Sequence, residues 1–114
     1  MEIDMQKELA SLNENSSLRD VQEYARKMII ARGFEEDTLQ DLLMLLTEEV
    51  GELAKEIRKT MKHKLDQDAE NTPNMANEIA DVLNYLFALC IAEDIDLFQA
   101  FKHKEEINLK REWK

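Results

Sequence analysis

Residues 47–57, TEEVGELAKEI, and residues 77–86, NEIADVLNYL, decide how this chain is read. Each sets two carboxylates three residues apart among leucine, isoleucine, valine and alanine: Glu49 with Glu52, then Glu78 with Asp81. Acids in the oiliest part of a helix need a reason.

The surrounding sequence is helical throughout. The apolar positions Leu42, Leu46, Val50, Leu53 and Ile57 step by four, four, three and four, which keeps them on one stripe of a helix over residues 38–65. Thr38 is its cap, and Gly51 inside it, unfavourable by about 1 kcal/mol against alanine, suggests a close approach of another backbone. Upstream, residues 2–13 form a short first helix with Ile3, Leu9 and Leu12 as its apolar positions, and NENSS breaks it. Ser16 or Ser17 caps a second helix, which Gly33 ends. Residues 66–74, DQDAENTPN, are the clear loop, and Thr72-Pro73 opens a fourth helix over roughly 73–93. That helix is apolar on most sides and needs cover from more than one direction. Asp96 caps a fifth helix that runs to the C-terminal residues.

Composition agrees with an all-α fold. The 114 residues, one domain by size, include only two glycines and one proline, while charged residues make up 35%. A formal charge of −10 argues against a nucleic-acid polymer as partner, because phosphate contacts need a basic face. The single cysteine, Cys90, lies in an apolar run and reads as a small buried hydrophobe in a reducing, cytoplasmic compartment. The acidic N-terminus is unlike a signal peptide, and no apolar run approaches about 20 residues, so no membrane partner is expected.

At about 100° per residue, the stripe serves as a compass. Glu48 points away from it into solvent, Glu49 falls on its edge, and Glu52 lies roughly 60° further round with Glu56 between them. On the fourth helix the stripe is Met75, Ile79, Val82, Leu86 and Leu89, with Glu78 flanking it and Asp81 one step further. Each helix thus offers two acids on one flank, about one turn apart. If the helices pack side by side, four carboxylates meet, and their repulsion is tolerable only with protons or cations. All-oxygen ligands favour Mg²⁺ first and Mn²⁺ second, and Mg²⁺ commonly bridges carboxylates to substrate phosphates. A single pair of this kind is most often a solvated flank, and with two pairs both readings stay open. A di-iron or di-manganese bundle fails, because the residues three before His63 and His103 are Thr60 and Ala100 rather than glutamate. Zinc is poorly supported, and both histidines read as solvated surface residues. Asp66, Asp68 and Glu70 of the loop read as solubility.

EVGELAKEIRK followed by NEIADVLNYLFALC resembles the all-α nucleoside triphosphate pyrophosphohydrolases of the MazG type, marked by E-x-x-E on one helix and E-x-x-D on the next. Their relatives include dCTP pyrophosphatases, dimeric dUTPases and phosphoribosyl-ATP pyrophosphohydrolase. The ending also resembles the family's K-x-x-x-N-x-x-R tail, here Lys104, Asn108 and Arg111. The resemblance covers roughly residues 17–114, leaving residues 1–15 as an N-terminal extension helix on a single domain.

The resemblance implies a four-helix-bundle-like core assembled into homodimers or homotetramers, and Mg²⁺-dependent hydrolysis between the α and β phosphates to a monophosphate and pyrophosphate. Mn²⁺ is the possible substitute. By motif, Glu49, Glu52, Glu78 and Asp81 would be the metal ligands and catalytic acids, the same four the compass selects. Glu48 and Glu56 stay unassigned. Lys104 and Arg111 would hold phosphates and Asn108 the nucleotide, although charges near a helix end also complement its dipole. Tyr85 matches a position that faces the nucleotide, or packs an interface. Phe34 matches a base-stacking aromatic, or packs a core. Arg58-Lys59 stands where deoxycytidine-type relatives carry a tryptophan, against dCTP specificity. Lys55, with Arg58, Lys59 and Lys62, would attract a triphosphate or simply be solvated. The leading expectation is a house-cleaning nucleoside triphosphate pyrophosphohydrolase. The alternatives are a non-enzymatic helical interaction module and phosphoribosyl-ATP hydrolysis.

Overall fold

The computed structural model describes residues 2–65 and 74–111, with backbone alone at 63–65. The described residues form five helices and no strand: α1 (Met5–Ala10), α2 (Leu18–Ala31), α3 (Leu39–Leu65), α4 (Met75–Ala92) and α5 (Leu97–Leu109). The expected opening of the fourth helix at Thr72-Pro73 lies outside the described residues, as do the loop acids Asp66, Asp68 and Glu70.

Local chemistry sets most helix ends. Ser17 and Asp20 form a reciprocal capping box at α2, each side chain accepting the other's backbone N–H. Thr38 and Asp41 do the same at α3. Asp4 and Asp96 cap α1 and α5 by accepting the N–H groups of Lys7 and Gln99. At the end of α2, Gly33 takes φ +72°, which lets the Phe34 N–H reach the Ile29 carbonyl at 2.9 Å. The end of α4 repeats this device with Asp94 at φ 55°, the Ile95 N–H bonding the Cys90 carbonyl at 2.7 Å.

Two helices are shorter than expected. α1 stops at Ala10, where the Ser11 hydroxyl donates to the Glu8 carbonyl at 2.6 Å and competes with helix continuation. α5 ends at Leu109 with Lys110 as its C-cap, so Arg111 lies past the helix. Residues 112–114 are outside the described residues.

The chain divides into two compact units. The first comprises residues 1–36 and 87–114. There α2 packs against α1 and α5, and Ala25, Phe87, Ala88 and Cys90 are buried. Burial pushes the Cys90 thiol up, as expected for an unreactive buried cysteine. Polar side chains tie the helices. The Arg19 guanidinium meets the Asp96 carboxylate at 2.7 Å and lies over the Phe98 ring, 5.3 Å from its centroid. The Gln22 amide donates to the Ile95 carbonyl at 2.8 Å and accepts the Leu97 N–H at 3.0 Å, completing the turn before α5. Lys27 reaches Glu8 on α1 at 3.1 Å.

The second unit, residues 37–86, holds α3 and most of α4. Its inner face differs from the apolar stripe. Leu42 and Glu56 are buried and Leu46, Glu49 and Leu53 half-buried, whereas Val50 and Ile57 are 49% and 43% exposed. The least exposed line of α3 is therefore 42–46–49–53–56, a quarter-turn or less from the stripe. On α4 the corresponding line is Glu78, Val82 and Tyr85, while Met75, Ile79 and Leu86 are exposed. Carboxylates share the inner line of both helices with aliphatic side chains. Among the described residues the close approach expected at Gly51 is not found, since a Cβ there would meet nothing within 4 Å.

Against the expectation of no membrane-length segment, α4 is by length and composition long and apolar enough to cross a bilayer. It nevertheless carries Glu78 and Asp81, each costly in hydrocarbon.

Candidate metal centre

Three of the four expected carboxylates converge. Glu49 of α3 and Glu78 and Asp81 of α4 each present an oxygen, and the three oxygens lie within 4.8 Å of one another. Glu49 and Glu78 are half-buried and Asp81 is exposed, so the cluster is seated at its base and open on one side. One oxygen of Glu78, Oε2, is buried without a hydrogen-bond partner. Such an orphaned carboxylate oxygen is costly unless a donor or a cation completes it. Glu52 is exposed and falls outside the group of three, and Glu48 is exposed as expected.

The electrostatics match. Burial holds Glu49 above the usual carboxylate range, hydrogen bonding to Glu78 adds to this, and the charges of Asp81, Glu78 and Glu52 push the same way. A hydrogen bond between two carboxyl groups requires a proton on one of them. Tyr85, one turn beyond Asp81 and half-buried, is also pushed up, first by burial and then by the charges of Glu49, Asp81, Glu48 and Asp37. Its phenol keeps its hydrogen and remains a donor beside the acids. The donor set is all oxygen and anionic, which suits a hard divalent cation of the Mg²⁺ or Mn²⁺ kind and not zinc or copper.

Glu56 is a buried acid that sequence reasoning left unassigned. It is 8% exposed, accepts the Asn74 N–H at 2.8 Å and pairs with the Lys59 ammonium at 3.2 Å. The backbone hydrogen bond from Asn74, and then Lys59, hold its pKa below the ordinary value. No motif carried this signal. An acid seven residues from Glu49 on the same helical line was the available clue.

The remaining candidates divide by unit. Lys55 is exposed on α3, one turn past Glu52. Phe34, Lys104, Asn108 and Arg111 belong to the other unit. Phe34 follows the Gly33 turn and is 51% exposed, so it is not a core residue. Lys104 is exposed and Asn108 half-buried on α5. His103 is exposed, and the side chain of His63 lies outside the described residues.

The comparisons with known proteins agree with this geometry. The uncharacterized protein YpjD of Bacillus subtilis (strain 168) is 33% identical over 104 residues, spanning 87% of this chain and 92% of the relative. No solved structure matches. Residues 37–112, which contain all four motif acids and the tail, match the MazG nucleotide pyrophosphohydrolase domain. With paired acids on two helices and an all-helical fold around them, the chain belongs to the MazG nucleotide pyrophosphohydrolase family.

Proposed function

We propose that this protein is a Mg²⁺-dependent nucleoside triphosphate pyrophosphohydrolase that cleaves between the α and β phosphates, releasing a nucleoside monophosphate and pyrophosphate, in the service of nucleotide-pool house-cleaning. The observation that carries the reading is the convergence of Glu49, Glu78 and Asp81 around a buried, unpartnered carboxylate oxygen in a chain of this family.

Glu49, Glu78 and Asp81 would hold the cation, with Glu52 turning in as the fourth ligand. Bound there, a hard divalent ion neutralises phosphate charge and lowers the pKa of water. Tyr85 would donate its hydroxyl hydrogen toward the nucleotide. Lys55, Lys104 and Arg111 would bind phosphate oxygens, arginine with two parallel hydrogen bonds. Asn108 would hydrogen-bond the nucleotide and Phe34 would stack on its base. The assembly proposed is a homodimer or homotetramer, supported by exposed apolar side chains on α3 and α4 such as Leu43, Met44, Val50, Met61 and Ile79. A cytoplasmic location is part of the same proposal.

The test is product identification from a panel of nucleoside triphosphates with and without Mg²⁺. Pyrophosphate and monophosphate are expected, with Mg²⁺ required. Well-folded protein that turns over no triphosphate, or that releases single phosphates, would overturn the proposal.

A further inference from the structure

The register of α3 against α4 is set away from the carboxylate cluster. From Glu56 to Glu49 is seven residues back along α3, and from Asn74 to Asp81 is seven residues forward along α4. Glu52 and Glu78 stand four residues along the same two paths. The helices run antiparallel through these contacts, so the bond between Glu56 and Asn74 lies two turns from Glu49 and Asp81 and about one turn from Glu52 and Glu78. Seven residues are two turns, about 10.5 Å. A slip of one residue at Asn74 would move the α4 acids by about 1.5 Å and turn them by about 100°.

The bond is well built for this task. The Glu56 carboxylate is buried and meets the first free N–H at the start of α4, where the helix's positive end favours an anion. Lys59, one turn on, neutralises its other oxygen. Among the buried residues described, Glu56 alone is charged. Within the second unit this hydrogen bond joins α3 to the start of α4.

We propose that Glu56 is a positioning residue for the metal centre, holding the start of α4 so that Glu78 and Asp81 face Glu49. This rests on the reading of the three acids as cation ligands. It does not depend on which nucleotide is the substrate.

Direct Mn²⁺ binding, followed by electron paramagnetic resonance on the full chain, tests it. Glu56→Ala removes the acceptor and should weaken Mn²⁺ binding about tenfold or more, as loss of support behind a metal ligand commonly does. Glu56→Gln keeps an oxygen for the Asn74 N–H and should stay close to the unsubstituted protein. Glu56→Asp keeps the charge but falls a methylene short, and should behave like Glu56→Ala. It also decides the matter should the alanine variant not fold. A merely stabilising Glu56 would lower Tm in the alanine and aspartate variants and leave their Mn²⁺ affinity unchanged, which would overturn the inference. An unsubstituted protein that binds no Mn²⁺ would overturn the inference and the metal reading together. Tight Mn²⁺ binding lost in Glu56→Asp, with no triphosphate hydrolysed by the unsubstituted protein, would uphold the positioning role and sink the proposed activity alone.

Discussion

Two groups of carboxylates, one in each unit, are handled in opposite ways. In the unit built on α2 and α5, four acids meet donors: Glu8 has Lys27, Glu23 has Arg26, Asp20 has the Ser17 N–H, and Asp96 has Arg19 and the Gln99 N–H. In the unit built on α3 and α4, Glu49, Glu78 and Asp81 have chiefly one another, and an oxygen of Glu78 has no partner. Acids paired with donors are complete in the chain as it stands. Acids gathered together lack something, and what they lack is positive charge. Glu56 sharpens the contrast, because it lies in the second unit yet is satisfied in the manner of the first.

The contrast can be broken by mutation. Glu49→Gln and Asp81→Asn should each abolish pyrophosphate release while circular dichroism stays unchanged. Without metal, these variants should melt higher than the parent, since each removes like-charge repulsion. An acid that were only a solvated flank would leave hydrolysis intact.

Adding Mg²⁺ should raise Tm in a concentration-dependent manner, by the equivalent of about 2.7 kcal/mol at a hundredfold excess over Kd. Differential scanning fluorimetry reads this directly. The rise should vanish in Asp81→Asn.

In the first unit, Gln22→Ala strands the Ile95 carbonyl and the Leu97 N–H beside α5. A loss of about 1–3 kcal/mol is expected from urea unfolding, with no change in Mg²⁺ response. A changed Mg²⁺ response would erase the distinction between the units.

The pH dependence has a definite sign. Glu49 has a folded pKa above its unfolded value, so the folded state binds the extra proton. Its contribution to stability is present below the ordinary carboxylate pKa and is lost as pH rises through the raised value. Metal-free protein should therefore lose Tm over that window, and saturating Mg²⁺ should flatten the slope. Glu49→Gln should flatten it as well. The smallest effect expected is at the α4 end. Asp94→Gly relieves a left-handed backbone and should stabilise by up to about 1 kcal/mol in thermal unfolding.

Much of this was legible in the sequence. All five helices were expected in order, and the caps Thr38, Asp96 and Ser17 and the Gly33 stop follow from local hydrogen bonding, which needs only neighbours three or four residues away. The acid pairs were legible because i, i+3 spacing fixes a helix flank wherever the helix goes. The inner line of α3 was less so. Apolar periodicity pointed to Leu42, Leu46, Val50, Leu53 and Ile57, yet Val50 and Ile57 are exposed and Glu56 is buried. Hydrophobicity finds the side that prefers to leave water, and it is blind to a carboxylate that a backbone N–H has made comfortable inside.

The sequence by itself determined that the chain is helical, where most of its helices begin and end, and that two of them carry paired acids. These properties depend on contacts within a turn or two. Only the tertiary structure decided which acids meet. It joined Glu49 to Glu78 and Asp81, left Glu52 outside the group, and placed Glu56 on the first N–H before α4. Those outcomes depend on the register between two helices 18 residues apart at Glu56 and Asn74, and no spacing along a single helix encodes that register.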